Sequence, residues 1–229
     1  MFVGHFALGF AGKKVAPGVS LGTWFLAVQL ADLLWPICLL TGVEHVRIVP
    51  GLTRLTPLDF YDYPITHSLV ADVGWAALLG VLAFVLRRRI EPDAGRRAGA
   101  SLLLGFGVLS HWFLDLAVHQ PDMPLWPGGP RYGWGLWNHP GVEIPLELAM
   151  FAAGLVLYLG ATKARDGIGR FGIWVLALFL VAVWLMSVFG APPPNERVLA
   201  WVSLSIWLIV LAAWWIDRHR TALALASRK

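Results

Sequence analysis

Charged residues are scarce in this chain. Only 14% of its 229 residues are Asp, Glu, Lys or Arg, where a soluble domain carries about a quarter. That shortage, with 58% hydrophobic residues and a mean hydropathy of +0.66, argues against a soluble globular protein. Cysteine is nearly absent: Cys38 stands alone, which excludes an intrachain disulfide and any cluster of thiolate metal ligands. The first dozen residues carry no basic n-region and no small-residue cleavage site, so they do not read as a cleaved signal peptide. No internal repeat is present, and Pro192-Pro193-Pro194 is the one low-complexity piece.

What the chain has in quantity is apolar sequence in runs near the twenty residues or so that cross a bilayer. Six such runs stand at roughly 21–40, 67–86, 98–118, 143–161, 171–190 and 197–216. The expected fold is all-α, a polytopic membrane protein of about six transmembrane helices forming one domain over 1–229. Residues 1–161 bear the site, and 171–216 supply two additional spans. Met1 to Gly12 is apolar but too short to span, and predicts a re-entrant or interfacial helix ending at Lys13-Lys14.

The net charge of +4 and pI near 9.6 do not point to nucleic acid, because the basic residues cluster at the ends of apolar runs. Fourteen of the eighteen Lys and Arg residues fall at 13–14, 87–97, 163–170 and 218–229, and only Arg47, Arg54, Arg131 and Arg197 fall in the alternate loops. By the positive-inside rule the first set is cytoplasmic, which places both ends of the six-span bundle inside and the loops 41–66 and 119–142 outside.

Against this apolar frame the ionisable residues within spans are costly and therefore informative. The densest group is His111-Trp112-Phe113-Leu114-Asp115-Leu116-Ala117-Val118-His119. His111 and Asp115 are four apart, so a helix puts them on one face, and His119 continues that face. His139 and Glu143 repeat the spacing at the next run, while His67 opens the second and Asp32 lies within the first. His5, on the N-terminal segment, approaches the same level if that segment is re-entrant. Imidazole and carboxylate without thiolate suit a divalent metal, zinc first, with manganese and iron as alternatives. A hydrogen-bonded His111–Asp115 pair joining helices is the plainer reading, as are loop positions for His119 and His139. Glu147, one turn beyond Glu143, is the competing carboxylate on that helix, and Asp72 is either a supporting partner of the site or a buried helix contact. The Trp126–Trp137 loop, rich in Gly and Trp, is either an interfacial belt or a lid over a lipid headgroup, with Arg131 facing a phosphate.

His5, Ala31-Asp32-Leu33-Leu34-Trp35-Pro36, Thr66-His67-Ser68 and Ser110-His111-Trp112-Phe113-Leu114-Asp115 together resemble the membrane-bound metal-dependent hydrolases of the YdjM type. The resemblance runs over roughly the first 120 residues. The same order is similar to that of the all-helical zinc-dependent phospholipase C and nuclease group. That likeness implies that His67, His111 and Asp115 bind one zinc, that Asp32 bridges or acts as base, and that His139 and Glu143 help hold a second. The expected function is therefore hydrolysis of a phosphoester in a lipid or lipid-linked substrate by metal-activated water, at the inner membrane and toward its outer leaflet. A divalent-metal transporter or sensor, and a structural membrane protein, are the alternatives.

Overall fold

The computed structural model describes residues 1–226. Eleven α-helices follow one another among these residues, broken by short ribbons. They are α1 (Val3–Val15), α2 (Leu21–Val28), α3 (Leu30–Thr41), α4 (Pro64–His67), α5 (Leu69–Leu86), α6 (Ala94–Val118), α7 (Pro140–Ala161), α8 (Gly167–Phe189), α9 (Glu196–Ser203), α10 (Ile206–Arg218) and α11 (Leu223–Ala226). Several start where a polar side chain accepts an orphan backbone N–H: Ser20 for α2, Ser68 for α5, Asp93 for α6, Asp166 for α8 and Asn195 for α9. Three antiparallel two-stranded ribbons sit in the connections. β1 (His45–Ile48) pairs with β2 (Leu58–Asp62), β3 (Met123–Pro124) with β4 (Arg131–Tyr132), and β5 (Thr162–Ala164) with β6 (Arg220–Ala222).

Five helical segments are long and apolar enough to cross a membrane: Leu69–Arg89, Ala94–Val118, Pro140–Ala161, Gly167–Phe189 and Glu196–Arg218. The first expected span is not a straight helix. It breaks at Gln29, where α2 and α3 meet at 58°, and counts as a sixth span only if the bent pair is taken together. The break has a use, because a carbonyl at a helix end has no partner four residues on and must find one elsewhere. The Val28 carbonyl accepts a hydrogen bond from His111 Nδ1 at 2.8 Å.

The N-terminal segment is not interfacial. α1 is buried along most of its length, with Val3, His5, Phe6 and Phe10 at zero exposure, and it packs on α7 and α2 in the middle of the bundle. Thirteen residues make it about 20 Å long, too short to span a hydrocarbon layer of about 30 Å. Gly154 permits its approach to α7, since a Cβ there would overlap the Ala7 backbone. Phe6, Phe10 and Phe25 meet edge to face beneath it, which is the favoured geometry for buried rings.

One end of the bundle is tied by polar contacts among the basic segments. Lys13 Nζ lies 2.6 Å from Asp217 Oδ2, with both side chains over 90% buried. Asp217 also accepts from Leu21 N and from the Tyr158 hydroxyl, so a single carboxylate joins α1, α2, α7 and α10. Arg87 donates to the Gly18 carbonyl and Arg165 N to the His219 carbonyl, drawing the remaining basic loops to the same end. The opposite end carries the β1–β2 and β3–β4 ribbons and the loop between α8 and α9.

A candidate metal centre

α6 supplies the centre of the site. One turn apart on it, His111 and Asp115 approach to 3.1 Å (Nε2 to Oδ2), and His119, the residue that ends the helix, places Nε2 3.9 Å from the same oxygen. α4 brings His67 Nε2 to 4.0 Å from Asp115 Oδ2 and 3.5 Å from Asp32 Oδ1. Asp32 lies in the first turn of α3, where the positive end of the helix dipole favours a carboxylate, and its Oδ1 is 3.8 Å from His111 Nε2. Three imidazoles from two helical segments thus converge on two carboxylates. Asp115, His67, His111 and His119 are each at most 4% exposed, while the Asp32 side chain is 23% exposed.

The far side of each ring decides which nitrogen carries the proton. A carbonyl can only accept, so His111 Nδ1 must donate to Val28. His119 Nδ1 donates to Asp122 Oδ1 at 2.9 Å. Asp122 Oδ1 also accepts from the hydroxyl of Tyr63, whose burial and proximity to Asp122 keep it well above the ordinary phenol range and hence a donor. His67 is anchored through one more residue than the other two rings. Glu44, 1% exposed, accepts from Ile65 N and Thr66 N with Oε1 and from the Thr66 hydroxyl with Oε2 at 2.6 Å. Having donated its proton to a carboxylate, the Thr66 oxygen accepts from His67 Nδ1 at 2.7 Å. In their neutral form all three rings therefore turn an Nε2 lone pair inward, toward carboxylate oxygens that are also acceptors.

Lone pairs facing lone pairs in a buried pocket are unfavourable unless a cation lies among them. His111 Nε2 lies 3.1 Å from Asp115 Oδ2, a separation that suits two ligands of one ion as well as a direct ion pair. Oxygen and imidazole donors fit a divalent ion of the zinc type, and outer partners that fix the ring tautomer are the normal support of such a site. Among the described residues two triads have ligand atoms all within 4.8 Å of one another: Asp32, His67 and His111, and His5, His111 and Asp115. Both need His111 Nε2, since its Nδ1 is committed to Val28, so they describe alternatives around one ion.

His5 stands differently from the other rings. It stacks on His111 with centroids 3.8 Å apart and planes at 6°, and its Nε2 lies 3.0 Å from Asp115 Oδ1. This contact, unlike that of His111 Nε2, has hydrogen-bond geometry, and an ionised carboxylate can only accept, so here His5 donates to Asp115 through Nε2. The Met1 amino group lies 2.6 Å from the same oxygen. Glu147 is occupied as well, accepting from the backbone N–H groups of Phe2 and Gly4 at the start of α1 and from Trp184 Nε1. Glu143, one turn earlier on α7, is buried with Oε2 unpartnered, and it lines the same cavity as Asp32, His67, Asp115 and His119.

Two expected residues lie elsewhere. His139 is exposed in the turn before α7, where its carbonyl accepts from Val142 N and Glu143 N, and it belongs to neither triad. Arg131 is exposed on the β3–β4 ribbon and does not line the cavity. Asp72 is fully buried in the first turn of α5, without an ion pair to the cluster. Glu44, Tyr63 and Asp122, which hold the rings, escaped the sequence reading. Only the Thr66-His67 adjacency hinted at them, because Glu44 reaches Thr66 across 22 residues of loop and ribbon.

The cavity above this centre has a volume of about 470 Å³. The 50–58 loop and Trp137 close its polar end, and residues of α8, α9 and α10 wall its apolar side. No curated protein and no solved structure matches the chain. The model of the YdjM inner membrane protein family matches residues 64–193. That segment includes His67, His111, Asp115, His119 and Glu143, extends well past the first 120 residues, and leaves out His5 and Asp32. With more than half of its length matched, and with five or six helices able to span a membrane, the chain belongs to the YdjM inner membrane protein family.

Proposed function

We propose that this protein is a membrane-embedded metal-dependent hydrolase that cleaves a phosphoester of a lipid or lipid-linked substrate. One observation carries the reading: three imidazoles, each anchored through Nδ1, turn their Nε2 atoms toward Asp32 and Asp115 beneath a cavity. His67, His111, Asp32 and Asp115 would hold the ion, zinc by preference and manganese or iron with the same donors, with His119 beside them. When bound, such a cation supplies Lewis acidity at a phosphoryl oxygen and lowers the pKa of an attacking water.

The protein's own groups have distinct tasks in this scheme. Asp32, the most open carboxylate of the cluster, accepts the proton of the attacking water and orients it toward the substrate. Asp115 is held by His5 and so keeps the position that faces the other rings. Glu143, with an unpartnered oxygen, is the carboxyl group left for the substrate or a second cation. The apolar wall limits bulk water, which strengthens each of these charges. The positive-inside rule favours a cytoplasmic basic end, and the 14 residues of α6 from Arg97 to His111, about 21 Å, support a site in the outer half of the bilayer.

The test is metal analysis of detergent-purified protein together with turnover of a soluble phosphoester. Stoichiometric zinc, hydrolysis lost on chelation and hydrolysis regained on adding zinc are expected. Bound metal without hydrolysis, but with metal flux in liposomes, would overturn the enzyme reading in favour of transport.

A further inference from the structure

The cavity does not end at the polar cluster. α9 packs on α3, whereas α10 packs on α2 and α8, and a wedge remains between α8 and the α9–α10 pair. Val183 and Met186 line it from α8, and Val202, Ile206 and Ile209 line it from the other side. Met186 and Val202 belong to the cavity wall yet are 73% and 63% exposed, so they mark its mouth. Both lie in segments long and apolar enough to cross a membrane, so a bilayer set on those segments brings hydrocarbon to the mouth. A passage therefore leads from the lipid phase to the His and Asp cluster.

Charge distinguishes the two ends of that passage. Arg54, on the 50–58 loop, is the one Lys or Arg that lines the cavity among the described residues, and it has no ion pair there. Every other charged or titratable side chain in the lining is a carboxylate or an imidazole. An exposed guanidinium lining the same cavity as the His and Asp cluster suits a phosphate, which arginine grips through two parallel N–H donors. An apolar slot open to the bilayer suits an acyl chain. The combined shape fits one molecule that carries both.

We propose that the α8/α9–α10 wedge is a lateral portal through which a lipid with an anionic phosphate headgroup reaches the site, its acyl chain in the wedge and its phosphate held by Arg54. The portal rests on the hydrolase reading only for the fate of the headgroup, and it can be tested without turnover. The probe is a phosphonate analogue of phosphatidate, resistant to hydrolysis, with a diazirine in its acyl chain, mixed with the full chain in a phosphate-free maltoside micelle. A diacylglycerol with the same photoreactive chain is the control. Crosslinks are expected within residues 183–209 for the phosphonate and much less for the diacylglycerol. Arg54→Ala should reduce the phosphonate crosslinks about tenfold, the scale of one lost charge-assisted hydrogen bond, with partial recovery in Arg54→Lys. Val202→Trp, which fills the mouth, should reduce them while leaving bound metal and thermal stability at the wild-type level. Equal labelling by both probes, or labelling indifferent to Arg54→Ala and Val202→Trp, overturns the portal. Specific crosslinks in a protein that hydrolyses no phosphoester would sink the hydrolase reading and leave the portal standing. Hydrolysis of a soluble phosphoester without specific crosslinks would do the reverse.

Discussion

Replacing Thr66 with Val removes one hydroxyl and almost no volume, yet that hydroxyl joins Glu44 to His67. In the variant Glu44 keeps its two backbone partners on Oε1 and loses the one on Oε2, and His67 Nδ1–H is left buried without an acceptor. A buried donor without a partner costs about 1–3 kcal/mol. Loss of the outer partner of a ligating imidazole typically weakens metal binding by about 10–100-fold, which is about 1.4–2.8 kcal/mol and agrees with the first figure. Glu44→Gln is the sharper variant because its shape is nearly unchanged. A carboxamide NH₂ facing Thr66 Oγ1 would donate to it and turn the Thr66 proton toward His67 Nδ1, which moves the ring proton to Nε2 and removes the inward lone pair. Chelator-competition titration with zinc should show both variants weakened within that range and Thr66→Ser close to wild type. Nitrogen-15 NMR of labelled histidine should report the tautomer change in Glu44→Gln. Wild-type zinc affinity in both Thr66→Val and Glu44→Gln would refute the argument that this relay orients His67.

His111→Ala or Asp115→Ala should abolish stoichiometric metal, whereas His139→Ala, at an exposed position outside the cluster, should leave it unchanged by elemental analysis. Asp32→Asn keeps the side chain's size and removes its charge, so turnover per bound metal on a phosphoester probe should fall by about 10²-fold, within the range of a general base. Asp217→Ala leaves Lys13 charged and buried, and should lower stability by about 3–5 kcal/mol, read as a large drop in the thermal midpoint in detergent. A reporter fused after Arg89 should read as cytoplasmic and one near Gly129 as extracytoplasmic, and the opposite result at both would invert the membrane face of the site.

Hydropathy made α5 to α8 legible because each is a continuous helix with an exposed apolar face, so composition and structure agree. At 21–40 it located the apolar run but not the bend within it, for a physical reason. Summed hydropathy is blind to backbone continuity, and the break at Gln29 removes none of the apolar residues that defined the run. For the N-terminal segment the two placements, re-entrant or interfacial, stayed open. Its length ruled out a span, but nothing local separates an apolar helix lying at the interface from one packed within the bundle. That distinction comes from Gly154 on α7 and from the Asp217 carboxylate on α10, both distant in sequence.

The two His-x-x-x-acid pairs show what spacing carries and what it does not. His111 and Asp115 both lie inside α6, so their i,i+4 relation is a relation in space, and the distance between them is short enough for two ligands of one ion. His139 and Glu143 have the same spacing in sequence. Pro140 is the first residue of α7, however, and His139 falls in the turn before it with its side chain exposed, while Glu143 faces inward from the first turn. The spacing rule holds only when both residues are helical, and X-Pro marks the place where that condition lapses. Similar reasoning sorts the acids of α7. Glu147 is nearer the start of α1, whose first N–H groups need acceptors, and it is held there by three donors. Glu143 shares a side-chain hydrogen bond with Glu147 but keeps Oε2 unpartnered in the cavity wall, and that oxygen is the one on this helix with capacity left for chemistry.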